Sequence, residues 1–188
     1  MTSELIPSGR SLLDPKMLVE RAGIGPGMMV GDFGVGGEAY FGVQAAKLIG
    51  TRGMVFAFDI YKPALSSALS AAKLSGCHNM KTVWSDLERY GGARTIRDGA
   101  LDFGIMVNVL HGSKQQKEML RECTRMLKAG SRMLVIEWAN AGLKFGPKEQ
   151  QLLPEARLLD LGLQAGLAPF EQFAAGPHHY AVVFVKAG

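Results

Sequence analysis

Cysteine is scarce in this chain, and no other clustering of metal-binding residues makes up for it. Cys77 and Cys123 are the only two cysteines among 188 residues and lie far apart. Neither a metal site nor a disulfide framework is expected from them. Runs of one charge are absent as well. The 21 basic and 17 acidic residues leave a net charge of +4 scattered along the chain, which gives no strong signal for a nucleic-acid partner. No apolar stretch approaches the roughly 18 residues of a membrane span. Residues 1–7 carry no basic-then-apolar signal pattern, so a cytoplasmic location is expected. No internal repeat or low-complexity segment stands out.

What the chain does have is a regular alternation of apolar runs and helical periodicity. Hydrophobic residues make up 47%, and the length suits one core. The expected division is an N-terminal segment over 1–14 and a single domain over 15–188. The patterning predicts strands near 28–33, 54–59, 80–84, 101–108 and 131–138, with helices near 15–23, 38–49, 63–75, 114–128 and 150–165. Such alternation argues for a mostly parallel sheet covered on both faces. Pro63 suits a first helical turn. Gly76 and the segment Lys128-Ala-Gly130 read as helix ends. Near the C-terminus, 168–173 and 179–185 read as two strands joined by a short Gly-Pro turn, which forces them to pair antiparallel. The linker-like pieces are the first dozen residues and Asn140–Gln150.

The segment Val30-Gly-Asp-Phe-Gly-Val-Gly36 carries the strongest chemical signal. An apolar strand ends in Asp32, and Gly34 and Gly36 then form a turn into a helix, where a ligand can approach the backbone closely. Read from Gly34, the residues match the G-x-G-x-x-G/A dinucleotide fingerprint, and Asp59 follows about 20 residues later. Asp59 ends its strand and can accept hydrogen bonds from two ribose hydroxyls of any adenosine-containing cofactor. Three features favour a cofactor other than a dinucleotide. Asp32 at the turn repels a pyrophosphate and attracts an ammonium or sulfonium, by about 1 to 4 kcal/mol for a contact pair. Asp86 follows the third strand and can accept from an adenine amino group, with Ile60 and Leu87 as apolar faces for the ring. The chain also ends in a hairpin without a separate substrate domain. A nicotinamide-dependent oxidoreductase stays open at this point, although no Tyr-x-x-x-Lys spacing supports it.

The glycine segment, Asp59, Ser85-Asp86, Phe103-Gly-Ile-Met-Val-Asn108 and Leu127-Lys-Ala-Gly130 occur in an order and spacing that resemble the class I S-adenosylmethionine-dependent methyltransferases, over roughly residues 12–186. Leu13-Asp-Pro15 and His178-His-Tyr180 look similar to small members of the ubiquinone/menaquinone biosynthesis type. The resemblance implies an α/β, Rossmann-like, doubly wound seven-stranded sheet of order 3-2-1-4-5-7-6 with an antiparallel C-terminal strand. It implies methyl transfer from S-adenosylmethionine to a small or medium organic acceptor, aromatic ones included, with a protein side-chain methyltransferase of the same fold as the alternative. Gly34 and Gly36 would then face the methionyl part, Asp59 the ribose, and Asp86 and Leu87 the adenine. Asn108 would lie beside the cofactor, and Asp32, Phe33, Ile60 and Ser85 complete the expected cofactor set.

His111, three residues past Asn108, is the expected general base if the acceptor must lose a proton. Trp138, His179 and Tyr180 are expected to line the acceptor pocket. Glu38 stands where the family often has a third glycine. It is expected in the first helical turn, favourable to the helix dipole, or else beside the cofactor's ammonium. Asn108-Val-Leu-His111 departs from the Asn/Asp-Pro-Pro-aromatic signature of enzymes that methylate amino groups of adenine or glutamine.

Overall fold

A computed structural model describes residues 12–143 and 146–188. Most of the expected N-terminal segment, residues 1–11, and two positions of the 140–150 linker lie outside the described residues. The chain then runs α1 (Pro15–Ala22), β1 (Met29–Phe33), α2 (Tyr40–Ile49), β2 (Met54–Asp59), α3 (Lys62–Leu74), β3 (Met80–Trp84), β4 (Leu101–Val107), α4 (Gln116–Met126), β5 (Leu127–Trp138), α5 (Glu155–Gln164), β6 (Leu167–Gly176) and β7 (His179–Lys186).

The seven strands form one sheet of order β3-β2-β1-β4-β5-β7-β6. The first five pair parallel, and β7 runs antiparallel between β5 and β6. Central parallel strands bury both faces, which explains their nearly continuous apolar sequences. Alternate residues therefore feed two cores. Val30, Ile105, Ile136 and Val183 belong to one, and Phe33, Met106, Val135 and Val182 to the other. Local chemistry sets several ends. Asp14 caps α1 by accepting from the Met17 amide at 3.1 Å, with Pro15 at the first helical position. Pro63 sits in the first turn of α3, and Gly76 lies just past that helix at φ 75°. Among the described residues, no helix is long and apolar enough to cross a membrane.

Three expected boundaries shift. Lys128-Ala-Gly130 does not end a helix: α4 stops at Met126, and the segment belongs to β5. Leu127 pairs with Leu101 and Arg132 with Phe103, so residues 128–131 loop out of the ladder, with Gly130 at φ 75°. The last helix begins at Glu155 because Pro154, in extended conformation, precedes it. Finally, α2 begins at Tyr40 behind Ala39, which is left-handed at φ 48°. Glu38 thus lies ahead of the first turn, and the expected dipole pairing does not apply to it.

Candidate active site

The C-terminal ends of the parallel strands open onto a cleft of two lobes. One, of about 250 Å³, lies between the glycine turn, the start of α1, the start of α2, the end of β5 and the start of β7. The other, of about 440 Å³, lies between the ends of β2 and β3 and the loop after β4. Gly34 and Asn108 line both lobes and mark their junction.

The period of two along each strand selects the first lobe's polar groups. Asp32 follows Val30, Trp138 follows Ile136, and His179 precedes Ala181, all on the same face of the sheet. All three line the first lobe. The same rule removes two expected residues. Tyr180 points to the opposite core, donates its hydroxyl to the Leu153 carbonyl at 2.7 Å and lines neither lobe. The Phe33 side chain is fully buried against Phe58, ring centroids 5.0 Å apart, and lines neither lobe.

Asp59 organises the glycine turn. Its Oδ2 accepts from the Gly36 amide at 3.1 Å and its Oδ1 from the Tyr61 amide at 2.9 Å. Gly34 has φ 76°, and a Cβ there would come within 2.6 Å of Val109 Cγ2. Gly36, at φ 63°, faces open space. A side chain at Gly34 thus has no room, while Gly36 leaves open space at the first lobe. Asp86 accepts from the Glu88 amide at 3.0 Å, a local turn that holds its carboxyl in the second lobe beside Ile60, Ser85 and Leu87.

Asp32 is buried against α2. A Cβ on Gly42 would come within 2.6 Å of its Oδ2, so glycine permits the approach. Burial pushes the Asp32 carboxyl up to about 7, against the opposing effect of the Gly42 amide and with a smaller upward push from Asp59. His179 is held down to about 4, first by burial and then by His178 and His111. Its ring packs against Trp138, centroids 4.1 Å apart and planes tilted by 38°, and its Nε2 lies 3.1 Å from Asn108 Nδ2.

Backbone strain falls at the same place. Among the described residues, the non-glycine positions with positive φ are Ala39 and Asn108, and both line the first lobe. Such conformations cost of order 1–3 kcal/mol each and collect at functional sites.

His111 lines neither lobe. Its Nδ1 is 2.8 Å from Oε2 of Glu137, whose other oxygen accepts from the amides of Val109, Leu110 and His111. Glu137 is fully buried. Its role as a hub is not legible in the sequence, because these contacts join the end of β5 to the loop after β4. The available signal was an acid inside an otherwise apolar strand, which needs partners when buried.

A family model described as a methyltransferase domain matches residues 24–161. No curated protein matches the chain in sequence. In structure it is similar to a SAM-dependent methyltransferase from Aquifex aeolicus, with TM-score 0.85 and 23% identity, covering 95% of this chain and 93% of that one. It is also similar to the 4+2 cyclase SpnF, with TM-score 0.76 and 14% identity over 92% of this chain and 79% of that one. An arsenic(III) S-adenosylmethionine methyltransferase from Chlamydomonas reinhardtii matches with TM-score 0.67 and 22% identity, over 88% of this chain and 65% of that one. At these identities the likeness is one of fold.

Proposed function

Since the chain belongs to the methyltransferase domain family, we propose that it moves a methyl group from S-adenosylmethionine to a small or medium organic acceptor, with residues 15–188 acting as one catalytic domain. The observation that carries this reading is the charge of the cleft. Asp32, Glu38, Asp59, Asp86 and Glu88 line the two lobes, and no Lys or Arg does so among the described residues. A doubly negative pyrophosphate finds no cationic side chain there and several acids, whereas a sulfonium and an ammonium find carboxylates.

The residues present fit such a cofactor. Gly36 leaves its backbone open toward the cleft, and Ser85 Oγ and Asn108 Oδ1 are buried without a hydrogen-bond partner. Asp59 keeps acceptor capacity on both oxygens beyond its two amide bonds, which suits ribose hydroxyls. Asp86 with Ile60 and Leu87 suits adenine, and Asp32 suits the methionyl ammonium.

When bound, S-adenosylmethionine supplies an electrophilic methyl group, and the transfer is an in-line displacement. The protein's share is alignment and exclusion of water. Trp138, Phe41 and Leu13 give the first lobe apolar walls. His111 acts through Glu137 on the shape of the loop that carries Asn108.

Calorimetry with S-adenosylhomocysteine and with NAD tests the reading. Binding of the former alone is expected. Binding of NAD alone, or of neither, would overturn it.

A further inference from the structure

We propose that Glu122, locked by Arg125, is a positioning residue for the cofactor site. It sets Asp86 in the second lobe, and with it the preference for a purine that carries a 6-amino group. The inference rests on the methyl-transfer reading above and gives a role in that site to two residues that line neither lobe.

Helix α4 turns Glu122 inward, and its side chain is fully buried. A buried carboxylate needs donors, and Glu122 has them on both oxygens. The amides of Gly91 and Ala93 donate to Oε2 and Oε1 at 2.6 and 2.9 Å. The Arg125 guanidinium adds a two-pronged contact, Nε to Oε2 at 2.9 Å and Nη2 to Oε1 at 2.8 Å. Burial pushes the carboxyl up, but Arg125 and the two amides outweigh it and hold the group below the usual carboxylate range. Arg125 also donates to the Ile96 and Ala93 carbonyls, at 3.0 and 3.3 Å, and to Asp98.

Beyond the pair itself, these contacts fall on residues 91–98, in the stretch between β3 and β4 that forms neither helix nor strand. The same stretch begins with Ser85, Asp86, Leu87 and Glu88, which line the second lobe. Gly91 and Ala93, the two residues that Glu122 grips, bracket Gly92. The Gly92 amide donates to the Arg89 carbonyl at 2.8 Å, and the Arg89 amide to the Asp86 carbonyl at 3.3 Å. A Cβ on Gly92 would collide with that same Asp86 oxygen, so residue 92 packs directly on the backbone of Asp86.

The Asp86 side chain is fixed in turn. Its Oδ1 accepts from the Glu88 amide at 3.0 Å, and Glu88 accepts from Ser113 Oγ at 2.7 Å. Oδ2 keeps its capacity to accept from a ligand. A carboxylate accepts and does not donate, so it pairs with the 6-amino group of adenine, and the strength of that pairing depends on where the carboxylate stands. Successive turns alone leave such a stretch several arrangements; a charged knot on a packed helix selects one. Met119, one turn before Glu122, lines the second lobe itself. Helix α4 thus supplies both a wall of the lobe and the tie that sets Asp86.

The test compares, by calorimetry, the affinities of S-adenosylhomocysteine and of its analogue lacking the 6-amino group. The native protein is expected to prefer the former about tenfold or more, the equivalent of one hydrogen bond to a charged group. In Glu122→Gln the preference should fall to about threefold or less, because the amide nitrogen it gains cannot accept from Gly91 or Ala93. Arg125→Lys keeps the charge but not the two-pronged contact. Its preference should fall between the two, and it carries the test if Glu122→Gln does not fold. Tyr180→Phe breaks a hydrogen bond outside both lobes and should keep the native preference. The inference is overturned if the native protein shows no preference, if the Glu122 and Arg125 variants keep it, or if Tyr180→Phe loses it. Failure of S-adenosylhomocysteine itself to bind the native protein overturns the cofactor reading as well, so the two failures are told apart at the first step.

Discussion

The imidazole Nδ1 of His111 donates to Oε2 of Glu137 at 2.8 Å, and the Glu137 carboxylate, fully buried at the end of β5, gathers three successive loop amides on its other oxygen. One acid inside the sheet thereby fixes the loop whose Val109 presses on Gly34. Glu137→Gln keeps the shape but weakens charge-assisted bonds to buried donors. It should cost about 1–3 kcal/mol in chemical denaturation and speed hydrogen exchange at the amides of residues 109–111. Unchanged exchange there would remove the hub role.

Asp59 ties the glycine turn and keeps capacity for a ligand. Asp59→Ala is expected to weaken S-adenosylhomocysteine binding about ten- to hundredfold, the equivalent of one or two charge-assisted hydrogen bonds. Calorimetry measures this, and circular dichroism checks that the fold survives. Affinity equal to the native protein would show that the ribose is held elsewhere.

Asp32 titrates near 7 in the folded protein against 3.8 for a free carboxyl. The folded state therefore binds the extra proton between those values, and stability falls as pH rises from about 4 to about 7. Asp32→Asn should raise the ligand-free Tm at pH 8 by the equivalent of a few kcal/mol and have little effect at pH 4. The same substitution removes a partner for the cofactor's ammonium, so S-adenosylhomocysteine affinity should drop at pH 8. A variant less stable than the native protein at pH 8 would contradict the burial argument.

Tyr180 is a packing residue whose hydroxyl serves the Leu153 carbonyl. Tyr180→Phe should lower stability by about 1 kcal/mol and leave S-adenosylhomocysteine binding untouched. A larger change in binding than in stability would return Tyr180 to the pocket.

Much of this architecture is legible in the sequence. The alternation of apolar strands and amphipathic helices carries the parallel sheet, and the Gly-Pro turn before His179 carries the antiparallel hairpin. The acids at strand ends, Asp32, Asp59 and Asp86, line one cleft as their positions suggest. The opposite facing of His179 and Tyr180 is legible too, since consecutive residues of a strand point to opposite faces of the sheet. Other features depend on tertiary contact. Lys128-Ala-Gly130 has the look of a helix end, but pairing with β4 draws Leu127 into the sheet and leaves the glycine to shape a bulge. The left-handed Ala39 gives no sequence signal, so neither the start of α2 at Tyr40 nor the place of Glu38 ahead of it is legible in the sequence. The Glu137 hub and the Asn108–His179 bond join segments distant in the chain, which local periodicity does not connect.

On the proposed function, one cleft takes S-adenosylmethionine across both lobes. Titration of the protein with S-adenosylhomocysteine while backbone amide resonances are recorded tests it most directly. Shifts are expected to concentrate at Gly34, Gly36, Ile60, Asp86, Leu87 and Asn108, with NAD producing none of them. Shifts confined to other surfaces, or the same pattern with NAD, would contradict it.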